Sequence, residues 1–205
     1  MTATTSHPNP NPAPLRVAVL VGSTREGRFA PVVTEWIKGH IAQRADLSVD
    51  VVDLAETPLP TVLPDFGQAP PAATQEALAL VSPRLAEADA FVFVTPEYNH
   101  SFPAALKNAI DWHNTQWHAK PVGFVSYGGI SGGLRAVEQL RLVMAELNAT
   151  TIRNTVSLHN VWGLFDEERA MRDPQSEAAA KSMLDQLTWW AQALREARNT
   201  HPYAA

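Results

Sequence analysis

Residues 90–112, AFVFVTPEYNHSFPAALKNAIDW, constrain this chain more than any other stretch. The opening AFVFV is apolar throughout and rich in β-branched and aromatic side chains, which predicts a strand buried on both faces. That strand is expected to end at Thr95 and Pro96, because proline has no ladder donor and fixes its own φ. A second proline, Pro103, suits the first turn of a helix, with Ser101 as its N-cap. Leu106, Ile110 and Trp112 then fall on one helical face. In open α/β sheets a loop between such a strand and helix lies at the strand's carboxyl end, where ligands bind. This one offers backbone N–H groups at Glu97, Tyr98 and Asn99, an amide side chain and a phenol. Those groups suit a planar heteroaromatic ligand with alternating donors and acceptors better than they suit proton transfer.

The same grammar recurs along the chain. Residues 15–21, LRVAVLV, read as a central parallel strand. The loop GSTREGR follows at 22–28, and a helix is predicted from about 29 to 42, with Pro31 in its first turn. Free N–H groups and the helix dipole make such a loop a natural phosphate cradle. Ser23 adds a hydroxyl, and Arg25 and Arg28 add charge. The loop matches neither G-x-G-x-x-G nor the Walker pattern, which excludes dinucleotide-fold and NTPase readings. A second strand is expected at 48–53, then a proline-rich connection over 54–71. A helix at 73–88 should kink or break early at Pro83. A strand at 120–126 opens onto YGGISGG, residues 127–133, whose glycines allow positive φ and close backbone approach. A helix to about 147, a fifth strand at 151–158 and a C-terminal helix at 175–197 complete the pattern. Met183, Leu184, Leu187, Trp190, Ala191 and Leu194 make the last helix amphipathic. Strand–helix alternation throughout predicts an α/β fold with a five-stranded parallel sheet.

Composition narrows the class further. The length of 205 residues suits one domain, expected over residues 15–199, with a disordered arm at 1–14 and a flexible tail at 200–205. A net charge of −5, with both signs interspersed, leaves no nucleic-acid footprint. With no cysteine, thiol catalysis, disulfides and cysteine-ligated metals are excluded. No apolar run reaches the length of a membrane span, and the start lacks the order of a secretory signal, so a cytoplasmic location is expected.

The pattern P-E-Y-N-x-S-x-P-x-x-L-K-N-A-I-D-W, from Pro96 to Trp112, resembles the signature of the NADPH-dependent FMN reductase family. The resemblance implies a flavodoxin-like α/β fold of strand order 2-1-3-4-5, with FMN at the switch point and NAD(P)H as co-substrate. It extends to the first loop, where the family pattern is close to G-S-x-R-x-x-S-x-N and is implied to hold the FMN phosphate. Gly22, Ser23 and Arg25 match; Arg28 stands where serine is common, and Ala30 where asparagine is common. The resemblance further implies that Pro96, Glu97, Tyr98 and Asn99, with Ser126, Tyr127, Gly128 and Gly129, border the flavin ring. A homodimer or homotetramer is implied, a partner subunit helping to wall the pocket. The implied activity is hydride transfer from NAD(P)H to FMN and on to a flavin, a quinone or a similar acceptor, without a catalytic side chain. The competing class is a non-enzymatic flavodoxin-like electron carrier or flavin-binding module.

Other constellations carry less. His100, His113 and His118 lack the spacing of a zinc site, and no serine sits in a G-x-S-x-G elbow. Trp112 and Trp117 flank the end of the organising helix and are candidates for a subunit interface. In VWGLFDEE, residues 161–168, aromatics beside acids suit either core packing or subunit contact.

Overall fold

The computed structural model describes residues 13–65 and 67–204. The arm expected at 1–14 falls almost wholly outside them. Strand β1 (Leu15–Val21) leads through the first loop to helix α1 (Ala30–Ala42), and β2 (Leu47–Asp53) leads through the proline-rich connection to α2 (Ala72–Glu87). Strand β3 (Ala90–Pro96), α3 (Ala104–Asp111), β4 (Pro121–Tyr127) and α4 (Leu134–Glu146) follow. Two short strands, β5 (Thr150–Thr151) and β6 (Val156–Leu158), precede the long α5 (Pro174–Thr200). The strands lie in the order β2-β1-β3-β4-β5, with β6 also on β4, and every pairing is parallel. This is the flavodoxin-like order expected from the resemblance.

Alternation along the central strands builds two apolar layers. Val17, Val19 and Val21 of β1 and Val92 and Val94 of β3 face α1 and α5, whose Val33, Ile37, Met183 and Leu187 cover them. Ala18, Leu20, Phe91 and Phe93 point the other way, onto Val81, Leu85, Leu106, Ile110 and Leu140 of α2, α3 and α4. Asp173 caps α5, accepting from the N–H groups of Gln175 and Ser176. No helix among the described residues is long and apolar enough to cross a membrane.

Several boundaries depart from the sequence reading. β3 does not stop at Thr95: Thr95 and Pro96 pair with Ser126 and Tyr127 of β4. Alternation explains why proline is tolerated there. The N–H groups of β3 that face β4 belong to odd-numbered positions, such as Glu97, which donates to Tyr127 O at 3.3 Å. The nitrogen of Pro96 faces β1, which has already ended at Val21. Ser101 is not the N-cap of α3; Pro103 is, with extended backbone dihedrals. Pro83 neither breaks nor shortens α2, which continues to Glu87. Both Pro83 and Ala79, whose carbonyl loses its donor, are exposed, so water can take the place of that bond.

The fifth strand is split because Asn154 leaves the ladder. Its N–H donates to Gln186 Oε1 and its amide to Ser182 Oγ, both on α5. Trp117 is a core residue and not an interface candidate: it is fully buried, edge-on to Phe91 at 4.8 Å, and its Nε1 donates to His113 O. Trp112 is half-buried and donates to Pro60 O at 2.6 Å, tying α3 to the proline-rich connection.

Candidate active site

Three loops leave the carboxyl ends of β1, β3 and β4 and meet around a cleft of about 370 Å³. Its wall contains Ser23, Arg25, Arg28, Pro96, Glu97, Tyr98, Tyr127, Gly128 and Gly129. These are all the residues singled out in the sequence except Asn99 and Ser126. The structure adds Glu26, Gly27, Phe29 and Trp162. Trp162 comes from the segment after β6 and is 67% exposed at the rim. Aromatic residues beside acids in residues 161–168 were the only sequence signal for it. Phe165 of the same segment packs on Phe29 at 5.6 Å and so belongs to the core.

The loop after β3 is a self-contained turn. Tyr98 and Ser101 exchange both backbone hydrogen bonds, and Asn99 and His100 both hold positive φ, 48° and 71°. Positive φ at both central positions defines a type I′ turn, and Asn and His are among the side chains that tolerate it best. The N–H groups of Glu97 and Tyr98 are therefore engaged, to Tyr127 O and Ser101 O, instead of free as the sequence reading expected. Asn99 is exposed at the tip. Its place in the turn accounts for its identity without a ligand.

Glu97 ties this loop to the glycine loop. Its carboxylate accepts from Ser131 Oγ at 2.6 Å, from the Arg135 N–H, and from Arg135 Nη1 at 2.9 Å. Burial alone would push its pKa up; the hydrogen bonds from Ser131 and Arg135 outweigh that and hold it below the usual carboxylate range. A carboxylate so occupied is a brace, not a proton donor. Ser126 is a second brace, fully buried and donating to Gly132 O at 2.8 Å.

The glycines of this loop divide into two kinds. Gly133 holds φ 84°, and a Cβ there would lie 2.6 Å from Ser126 Cβ and 2.9 Å from the Tyr127 N. Only glycine fits. Gly128 and Gly129 have neither positive φ nor crowding: the nearest atom to a Cβ at Gly128 is 3.7 Å away, and at Gly129 none lies within 4 Å. The protein itself gives no reason for glycine at these two positions on the cleft wall.

Three further observations mark the cleft as a ligand site. Tyr127 is 5% exposed, yet its hydroxyl is buried with no hydrogen-bond partner among the described residues. Burial pushes its pKa upward, the nearby Ser23 hydroxyl opposing in part, so it stays neutral. Ser23 Oγ lies 2.6 Å from the Tyr98 hydroxyl at the head of the first loop. Arg25 is exposed on the same wall, and its guanidinium has no partner among the described residues. Hydroxyls, an unpaired guanidinium and open glycine backbone fit a phosphorylated, planar cofactor such as FMN. No group of three or more His, Asp or Glu side chains among the described residues could hold a metal ion. His113 is buried, with Nδ1 on Ala109 O and Nε2 on Ser82 Oγ.

Comparison with known proteins agrees with this geometry. The chain is 38% identical over 122 residues to an NAD(P)H-dependent FMN reductase of Schizosaccharomyces pombe, a match covering 58% of this chain and 60% of that protein. It is 30% identical over 189 residues to a probable NADPH:quinone oxidoreductase of Oryza sativa subsp. japonica, covering 88% of this chain and 91% of the relative. The structure of FerB, a flavoenzyme NAD(P)H:(acceptor) oxidoreductase of Paracoccus denitrificans, superposes with a TM-score of 0.71 at 22% identity, over 87% of this chain and 98% of that one. At that identity it supports the fold alone. The sequence profile of NADPH-dependent FMN reductases matches residues 15–163, and the chain belongs to that family.

Proposed function

We propose that this protein is an FMN-dependent oxidoreductase that oxidises NAD(P)H and reduces a second small molecule, with a flavin or a quinone as the leading acceptor class. The observation that carries the reading is the cleft where the three strand-end loops converge, with an unpartnered phenol and two sterically free glycines on its wall. Bound FMN supplies a ring that accepts hydride from one partner and delivers it to the next. The chain's own residues bind and orient it. Ser23, Arg25 and the N-terminus of α1 receive the phosphate. Pro96, Glu97 and Tyr98 of the turn, with Tyr127, Gly128 and Gly129, border the ring.

No side chain on the cleft wall is set up for proton transfer. Glu97 is held ionised and Tyr127 neutral, which is compatible with hydride chemistry carried by a cofactor. Quinone acceptors are favoured by the relative from Oryza sativa, which aligns over nearly its whole length. A homodimer or homotetramer is the expected assembly. Trp162, two-thirds exposed beside the cleft, is the residue a neighbouring subunit would cover.

Titrating FMN into the purified protein, then following NADH and NADPH oxidation with FMN, quinone and azo-dye acceptors, tests the reading. Saturable FMN binding with ping-pong kinetics is expected. Binding without turnover of any acceptor would assign the protein to the electron carriers instead. Light scattering reads the assembly.

A further inference from the structure

Arg28 differs from the serine common in related loops, and a charge at that place reads as a counter-ion for the phosphate. Its geometry says otherwise. Nη1 and Nη2 fork onto the two carboxylate oxygens of Asp53 at 2.6 and 2.7 Å, and Nη1 also donates to Ser23 O at 2.9 Å. The two side chains are only 15% and 14% exposed. Asp53 is itself anchored. It ends β2, pairs with Val21 at the end of β1, and its Oδ1 also accepts the Ala55 N–H at 3.0 Å. Its carbonyl receives the N–H groups of Glu56 and Thr57 and the Thr57 hydroxyl.

We propose that Asp53 is a positioning residue for the cofactor's phosphate, acting through Arg28: the pair clamps the first loop to the end of β2 and sets Ser23. This rests on the FMN reading above and specifies how that site is built. The fork and the bond to Ser23 O take three of the five guanidinium donors, the end-on pair among them, and leave only Nε–H and one Nη2–H. The charges of Arg28 and Asp53 cancel locally, and Arg25 has Glu26 as its neighbour on the same wall. The cradle therefore holds its anion through directed N–H and O–H donors more than through net charge.

The clamp and the counter-ion readings predict opposite signs. A carboxylate near a phosphate repels it, so if Arg28 were the counter-ion, Asp53→Asn would tighten FMN. If the pair is a clamp, Asp53→Asn loosens the loop and weakens FMN. Fluorescence-quenching titrations of FMN and riboflavin into wild type, D53N, R28A and the double variant decide between them. The expected result is an FMN affinity about tenfold weaker in each single variant, a double variant no weaker than the worse single, and riboflavin affinity changed by less than about threefold. Tighter or unchanged FMN binding in D53N overturns the proposal, as do losses that multiply in the double variant. Equal losses for both ligands would mean a general folding role and overturn it too.

If D53N does not stay folded by circular dichroism, R28K against R28A decides. Lysine restores the charge but cannot fork onto Asp53 and Ser23 O together. The clamp requires R28K to bind FMN as weakly as R28A, and recovery in R28K overturns it. Wild type that binds no FMN overturns the cofactor reading and the clamp with it. Wild type that binds FMN while D53N binds it more tightly overturns the clamp alone.

Discussion

The two ends of the sheet solve the same problem differently. At the amino-terminal end, polar groups are closed by the protein. Asp89 accepts from the Arg16 N–H at 3.0 Å and from Arg195 and Arg198. Lys120, buried at the head of β4, donates to the carbonyls of Leu85 and Ala86 at the end of α2 and lies over the Phe91 ring. At the carboxyl end, the Tyr127 hydroxyl and the Arg25 guanidinium are left over, and Gly128 and Gly129 leave open space beside a backbone whose Gly128 N–H already donates to Leu158 O at 3.2 Å. Buried hydroxyls without partners also occur at Thr34 and Thr188, but both lie within helices, where a threonine can turn to a carbonyl one turn back. The Tyr127 phenol has no carbonyl within its own strand to turn to, and its polar neighbour, the Ser23 hydroxyl, is already 2.6 Å from the Tyr98 hydroxyl. Unspent hydrogen-bonding capacity, more than charge or cavity size, distinguishes the working end of this sheet.

Substitutions at the two ends should separate stability from cofactor affinity. The largest effect is expected where the carboxyl end borrows the closed style of the other. Gly133→Ala forces a Cβ into Ser126 and Tyr127 at positive φ and should cost about 3 kcal/mol of stability, read by urea unfolding. Next, Asp89→Ala removes the acceptor shared by Arg16, Arg195 and Arg198 and should cost about 2 kcal/mol, with FMN affinity unchanged. An altered FMN affinity in that variant would break the separation.

Gly129→Ala should do the reverse. Stability should move by less than about 0.5 kcal/mol, while FMN weakens roughly tenfold because the methyl group meets the ligand. Tyr127→Phe removes a buried hydroxyl without a partner. It should stabilise the ligand-free protein by about 1 kcal/mol and weaken FMN about threefold to tenfold.

The smallest effect belongs to His113, away from both ends. Burial holds its pKa below the ordinary 6.5, with the bond to Ala109 O opposing in part. The unfolded chain therefore takes up the proton first, and stability falls as pH drops below that value. His113→Gln should flatten the melting-temperature profile between about pH 7.5 and about pH 5.5.

Much of this was legible in the sequence. Continuous apolar runs revealed β1, β3 and β4, because strands buried on both faces carry no polar register to confuse them. The Pro96–Trp112 pattern and the loop with Ser23 and Arg25 located the cleft. Pairings between distant residues were not legible. Nothing in GSTREGR shows that Arg28 reaches across to Asp53, and nothing around Trp117 shows that the chain folds it under Phe91. Asn99 illustrates a different limit: the sequence offered its amide as a cofactor contact and gave no sign that the residue also holds a positive φ at the tip of a tight turn.

The two residues by which β3 outlasts β1 have one more consequence. Wherever neighbouring strands end unevenly, the longer one presents unpaired ladder groups, and any extended peptide can zip onto them. Here the step is buried and ends at Pro96. It has no N–H to offer toward the side β1 has left, and its carbonyl already receives the Thr95 hydroxyl at 3.0 Å. The crevice at the centre of the sheet thus stands open to a small flat molecule while presenting no template for strand addition. At this sheet's switch point a single buried proline closes the ladder, since it has no backbone donor to continue it.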